Sequence, residues 1–133
     1  DNSYHAIGIA TVHEILNLNI LQASLLSMKR AIDGLNIKPN LILIDGKYAP
    51  KGLKNYKTII NGDEKEKVIS AASIVAKVFR DKFMIKLSEK FSNYAWEKNF
   101  GYGTRDHLAG LKKYGVTSHH RKSFKPVHKI LSK

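Results

Sequence analysis

Four aliphatic residues, Leu41-Ile42-Leu43-Ile44, run directly into Asp45-Gly46. An unbroken apolar run of this length predicts a strand buried on both faces, with Asp45 where the strand leaves its sheet. Residues 5–12 are short, apolar and partly β-branched, and predict an earlier strand. Thr11-Val-His-Glu14 has the form of a capping box. It opens a helix in which Leu18, Leu21, Leu25, Met28, Ile32 and Leu35 recur every three or four positions, with Gly34 as its stop. Residues 57–61 predict a short strand. Gly62-Asp63 then leads into a helical stretch to about Phe91, whose face is Val68, Ala71, Ala72, Val75, Val78 and Phe79. After the aromatic segment 92–104, Thr104 is placed to cap a helix over 105–114 that Gly115 ends. Strands alternating with helices give an α/β or α+β class.

Composition narrows the function without naming it. A chain of 133 residues, 43% hydrophobic and 26% charged, is long enough for one folded domain. It has no cysteine, which excludes disulfides and thiolate metal sites and suits a reducing, cytoplasmic setting. No apolar run approaches the roughly 18 residues of a membrane span. The first residue is not methionine, so a fragment of a longer protein is expected. The net charge of +12 is uneven: residues 1–45 carry three basic and four acidic groups, 46–111 thirteen and seven, and 112–133 seven and none. Positive charge gathered towards one end suits a polyanion such as nucleic acid; a lysine-rich solvated surface is the plainer explanation.

Two carboxylates stand out. Asp45 and Asp63 each follow an apolar strand, and Asp63 sits at a predicted helix start, where the macrodipole favours an anion. If the two strands are neighbours, both groups face one crevice. Carboxylates beside a polyanion site call for a divalent cation to offset repulsion, and hard oxygen ligands point to Mg²⁺ or Mn²⁺. The structural alternatives are a salt bridge for Asp45 and an N-cap for Asp63. His107, His119 and His120 are better suited to capping, packing or phosphate contact than to Mg²⁺.

A series of motifs adds to this reading. Leu41–Gly46, Ile60-Asn-Gly-Asp63, Ile69-Ser-Ala-Ala-Ser-Ile-Val-Ala-Lys-Val78 with Arg80-Asp81, Gly101-Tyr-Gly-Thr104 with His107-Leu108, and His120-Arg-Lys-Ser-Phe124 occur in that order. Together with Ala6-Ile-Gly-Ile-Ala10 and Leu18-Asn-Ile-Leu-Gln-Ala23, they resemble the prokaryotic ribonuclease HII family over nearly the whole chain.

The resemblance implies a ribonuclease H-like α/β fold with an incomplete central mixed sheet flanked by helices. Residues 1–133 would form one domain, truncated at its N-terminus, with 92–133 as a substrate-binding helical extension. It implies a monomer that cleaves RNA in RNA–DNA hybrids, and single ribonucleotides in duplex DNA, to 3′-hydroxyl and 5′-phosphate ends. Two divalent ions, Mg²⁺ or Mn²⁺, would act in in-line displacement, held by four carboxylates. Asp45 matches the third of these and Asp63 the fourth. Tyr102 matches the tyrosine that stacks on the deoxyribose beyond the ribonucleotide, and Lys77 and Arg121 occupy positions suited to phosphate contact. The family's Asp-Glu-x-Gly-Arg-Gly stretch, with the other two carboxylates, is not in this sequence. A catalytically inactive, basic nucleic-acid-binding fragment is therefore the competing expectation. A DNA-binding domain unrelated to nucleases is a third, with only Arg105, Lys112 and Lys113 on the 105–114 helix to carry it.

Overall fold

The computed structural model describes residues 3–133. The chain divides into two compact units, Asp1–Ala76 and Lys77–Lys133.

In the first unit, helix α1 (Val12–Leu18) starts on the expected capping box: the Thr11 hydroxyl accepts from the Glu14 amide, and the Glu14 carboxylate accepts from the Thr11 amide. The single helix expected to reach Gly34 is instead two. Asn19 adopts φ 75°, ending α1, and its side chain accepts from the Gln22 amide to cap α2 (Ile20–Asp33). This cap bond, rather than an easy backbone conformation, is what favours Asn19 at the break, so Leu-Asn-Ile divides a helix that periodicity alone would run through. Gly34 ends α2 as expected. Of the predicted apolar face, Leu18 and Leu21 are exposed and only Ala23 of α2 is buried.

The strand expected over 5–12 is not formed. Residues 5–11 have no regular element and lie along α2, where a side chain at Gly8 would come within 1.8 Å of the Ser27 carbonyl oxygen. Arg30 holds this segment, donating to the Ile9 carbonyl at 2.7 Å and to both Glu14 carboxylate oxygens. Those bonds, with the Thr11 amide, hold the Glu14 carboxyl down to about 2.

The strands β1 (Ile42–Asp45) and β2 (Tyr56–Ile59) pair in parallel, Ile42 with Tyr56 through to Asp45 with Ile59. The helical stretch expected from Gly62 is broken at Glu66, whose backbone is extended, leaving α3 (Gly62–Lys65) and α4 (Lys67–Lys90). Within the first unit, Ile44 and Ile69 are buried, but Val68, Ile74 and Val75 of α4 are exposed. The apolar pattern expected along α4 therefore does not mark a buried face. Among the described residues, no helix is long and apolar enough to cross a membrane.

In the second unit, α4 residues 77–90 are followed by a 3₁₀ turn (Ser92–Tyr94), α5 (Trp96–Asn99), α6 (Arg105–Tyr114) and α7 (Lys125–Leu131). Helix α6 has the predicted limits, with Thr104 as N-cap and Gly115 as C-cap. The core is Met84, Tyr94, Trp96, Leu111 and Val127, packed by Leu87, Phe91, Phe100, Val116 and Ile130. Tyr94 and Trp96 stack with ring centroids 5.1 Å apart. Gly110 lets α6 press against the 3₁₀ turn: a Cβ there would lie 2.2 Å from the Asn93 carbonyl oxygen.

Alanine normally stabilises a helix interior over glycine by about 1 kcal/mol. At Gly110 the clash reverses this. Gly110→Ala is expected to destabilise by about 2 kcal/mol, read as a lower urea midpoint; an unchanged or higher midpoint would contradict the packing described.

Candidate functional site

Parallel pairing sends β1 and β2 out of the sheet at the same end. Asp45 ends β1, and β2 continues through Ile60 and Asn61 to Gly62-Asp63. Asn61 turns the chain in the left-handed region, φ 53°. The Gly62 amide then donates to Asp45 Oδ1 at 2.8 Å, and the Gly46 amide donates to the Ile59 carbonyl at 2.9 Å. Gly62 allows this approach, because a Cβ would sit 2.7 Å from Ile69 Cδ1 and 3.4 Å from Asp45 Cα. Asp63 is therefore the residue next to the one that clamps Asp45.

Both aspartates are exposed, and neither makes an ion pair among the described residues. The salt-bridge explanation for Asp45 thus has no partner there. Asp63 is not an N-cap: that position is Asn61, and Asp63 lies inside α3. The break at Glu66 also removes the long helix whose dipole was expected to favour its charge. Among the described residues no three His, Asp or Glu side chains converge as a metal-binding group.

The second unit holds the other predicted residues. The backbone around Tyr102 is fixed at several points. Phe100 and Gly101 have φ 50° and 90°, the Gly101 amide donates to Asn99 Oδ1 at 2.9 Å, and the Tyr102 amide donates to the Asn99 carbonyl at 2.9 Å. The Tyr102 carbonyl accepts from the Thr104 amide at 2.8 Å and from His107 Nδ1 at 2.9 Å. The side chain itself is 75% exposed. A large aromatic ring is thus presented to solvent from a well-anchored turn.

Arg80 lies against this turn, since a Cβ on Gly101 would be 3.4 Å from Arg80 Nη2. Its pKa is lowered, first by burial and then by the charge of Arg121, and neither guanidinium makes an ion pair among the described residues. Lys77 differs: it pairs with Asp81 at 2.9 Å and lies 5.6 Å from the Phe100 ring centroid. Arg80 stood within a sequence motif but carried no role there. Its signal, a guanidinium set against the Gly101 turn and near Arg121, exists only in the folded chain.

The histidines are packed. The Trp96 indole N–H donates to His107 Nε2 at 3.1 Å, and His107 Nε2 and His120 Nε2 are 3.0 Å apart. His120 Nδ1 accepts from the Thr117 amide at 3.0 Å. These partners fix both tautomers. A carbonyl can only accept, so His107 Nδ1 carries a proton; Thr117 N–H can only donate, so His120 carries its proton on Nε2 and gives it to His107. The Thr117 amide leaves no room for a second proton on His120.

Parallel strands ending in exposed carboxylates and a helical unit packed around aromatic side chains make this an α/β protein. The family model described as Ribonuclease HII matches residues 3–127. Ribonuclease HII of Pelagibacter ubique is 57% identical over 132 residues, 98% of this chain and 70% of that protein. That of Anaplasma marginale is 50% identical over 129 residues, 96% of this chain and 53% of that protein. The crystal structure of ribonuclease H2 from Pyrococcus horikoshii OT3 superimposes with a TM-score of 0.67 at 26% identity, covering 92% of this chain and 65% of that one. The chain belongs to the ribonuclease HII family. It spans between about half and seven tenths of the length of these relatives.

Burial, then the charges of His107 and His119, lower the His120 pKa from 6.5 to about 4. Between those values the unfolded chain binds a proton that the folded chain excludes. The stabilising contribution is therefore complete above the unfolded value and is lost as pH falls through this window. Going from about pH 7 to pH 5 should cost about 1–2 kcal/mol, measured by urea unfolding, and His120→Gln should flatten the profile. Equal midpoints at the two pH values in the unchanged chain would contradict this.

Proposed function

We propose that this chain carries part of a divalent-metal-dependent endoribonuclease that cleaves RNA within RNA–DNA hybrids, including single ribonucleotides in duplex DNA, as a cytoplasmic monomer. The observation behind the proposal is the clamp on Asp45. One carboxylate oxygen is taken by the Gly62 amide, which orients the group and leaves the other oxygen open, with Asp63 on the adjoining residue.

This donor set fits a hard divalent cation: exposed carboxylate oxygens, no sulfur, and no competing cation among the described residues. Asp45 and Asp63 are the residues that would hold it, as Mg²⁺ or Mn²⁺. When bound, two such ions supply charge stabilisation at the attacking and leaving oxygens of a phosphodiester. The Gly62 N–H keeps Asp45 aimed without neutralising it. In the second unit, Arg80 and Arg121 offer charge to phosphates, and the exposed Tyr102 ring offers a stacking surface for a sugar or base. Lys77, already paired with Asp81, is the weaker phosphate candidate.

One observation favours a second reading. The sequence lacks the Asp-Glu-x-Gly-Arg-Gly stretch, so only two of the four carboxylates implied by the resemblance are present. These residues alone would then bind duplex without cutting it.

Nicking of a duplex containing one ribonucleotide, with Mg²⁺ or Mn²⁺, separates the readings. Metal-dependent cleavage by the 133-residue chain supports the first. Salt-sensitive binding without cleavage supports the second. Absence of both refutes both. Asp45→Asn keeps an oxygen for the Gly62 amide but loses the negative charge. It should weaken Mn²⁺ binding roughly tenfold or more, by electron paramagnetic resonance, while the unfolding midpoint stays near that of the unchanged chain. Undiminished Mn²⁺ binding would remove Asp45 from the site.

A further inference from the structure

From the hydrogen bonds joining α5, α6 and the loop before α7, we infer that His107 is a positioning residue: it clasps the Tyr102 backbone and, backed by His120, sets where the exposed Tyr102 ring meets the nucleic acid. The inference rests on the reading of Tyr102 as a substrate contact.

Tyr102 has an exposed side chain, so its position is set through its main chain. Its carbonyl accepts from two donors, the Thr104 amide and His107 Nδ1. The Thr104 bond is local to the turn. The His107 bond ties the turn to α6, because His107 is 4% exposed and lies within the first turn of that helix.

Its ring is held by what lies behind it. Trp96 Nε1 and His120 Nε2 both point protons at His107 Nε2, and that ring atom can accept only if the proton is on Nδ1. The tautomer that can clasp Tyr102 is therefore imposed by the buried partners. Tyr94 stands edge-on to both imidazoles, with centroids 6.1 Å from His107 and 4.8 Å from His120. His120 is in turn fixed through Nδ1 to the Thr117 amide and hydroxyl, and the next residue is Arg121. The same buried chain thus anchors the backbone beside two proposed nucleic-acid contacts, Tyr102 and Arg121. Ordinary core packing would not require a histidine whose two nitrogens face different kinds of partner, a carbonyl on one side and two donors on the other.

Two substitutions divide these functions. The Asn side-chain amide reaches about as far as Nδ1, so His107→Asn keeps a donor for Tyr102 but loses the acceptor for Trp96 and His120. The longer Gln places its carbonyl near Nε2, so His107→Gln keeps the inner acceptor and loses the clasp. Affinity for a duplex with one embedded ribonucleotide and amide exchange at Tyr102 and Thr104 are measured on the full chain. His107→Gln is expected to speed exchange at both amides and weaken binding about fivefold, as for one lost hydrogen bond, with a near-normal melting temperature. His107→Asn is expected to melt lower yet keep slow exchange and near-normal affinity. Unchanged exchange and affinity in His107→Gln would overturn the inference, as would equal losses in both variants. Tyr102→Ala is the control for the underlying reading: if it binds as tightly as the unchanged chain, Tyr102 is not a substrate contact, and the exchange rates of His107→Gln still decide the clasp.

Discussion

The hydrogen bond from the Gly62 amide to Asp45 joins strand order to chemistry. A carboxylate at the end of a strand is mobile and is readily neutralised by any nearby lysine or arginine. Here one oxygen is fixed by a backbone donor, which cannot move away and carries no full charge. Asp45 keeps its negative charge and gains a direction. A Cβ at position 62 would press on the end of the Ile69 side chain at 2.7 Å, so glycine is the residue that leaves Ile69 undisturbed. The bond also demands the left-handed turn at Asn61. The sequence Asn-Gly-Asp is thus an instruction for backbone shape as much as for ligand chemistry.

The second unit solves a different problem with buried polar groups. Trp96, His107 and His120 sit among aromatic rings where an unpaired N–H or ring nitrogen would be costly. No side-chain nitrogen or oxygen buried among the described residues lacks a partner. Completeness makes the network rigid, because only one assignment of protons satisfies it. The same completeness makes it sensitive to acid: a second proton on His120 would meet the Thr117 amide.

How far the sequence revealed this depends on whether a feature is local. The capping box at Thr11 and Glu14, helix 105–114 with its caps, and the Leu41–Asp45 run follow from nearby residues and were legible. The breaks at Asn19 and Glu66 were not: apolar periodicity continues through the first, and the polar run around the second suits a helix as well as a break. Residues 5–11 had strand composition, yet a strand needs an adjacent strand to pair with, and composition does not provide one. Among the site residues, Asp45, Asp63 and Tyr102 could be singled out from spacing and resemblance. The orienting amide of Gly62, the approach of Arg80 to the Gly101 turn and the His107–His120 contact are tertiary. No pattern along the chain distinguishes a clasping histidine from a packed one.

Charge balance offers a last argument. Each unit contains like charges that its own described residues leave uncompensated: Asp45 and Asp63 in the first, Arg80 and Arg121 in the second. Three ion pairs form elsewhere among the described residues, Arg30 with Glu14, Lys29 with Asp33 and Lys77 with Asp81, and most of the 23 lysines and arginines stand outside them. Desolvation and then the charge of Arg121 disfavour the charged form of Arg80. Such a cost is understandable where a ligand supplies the missing charge. The first unit calls for a cation and the second for an anion. Under the proposed function, a divalent ion answers the first and a phosphate the second.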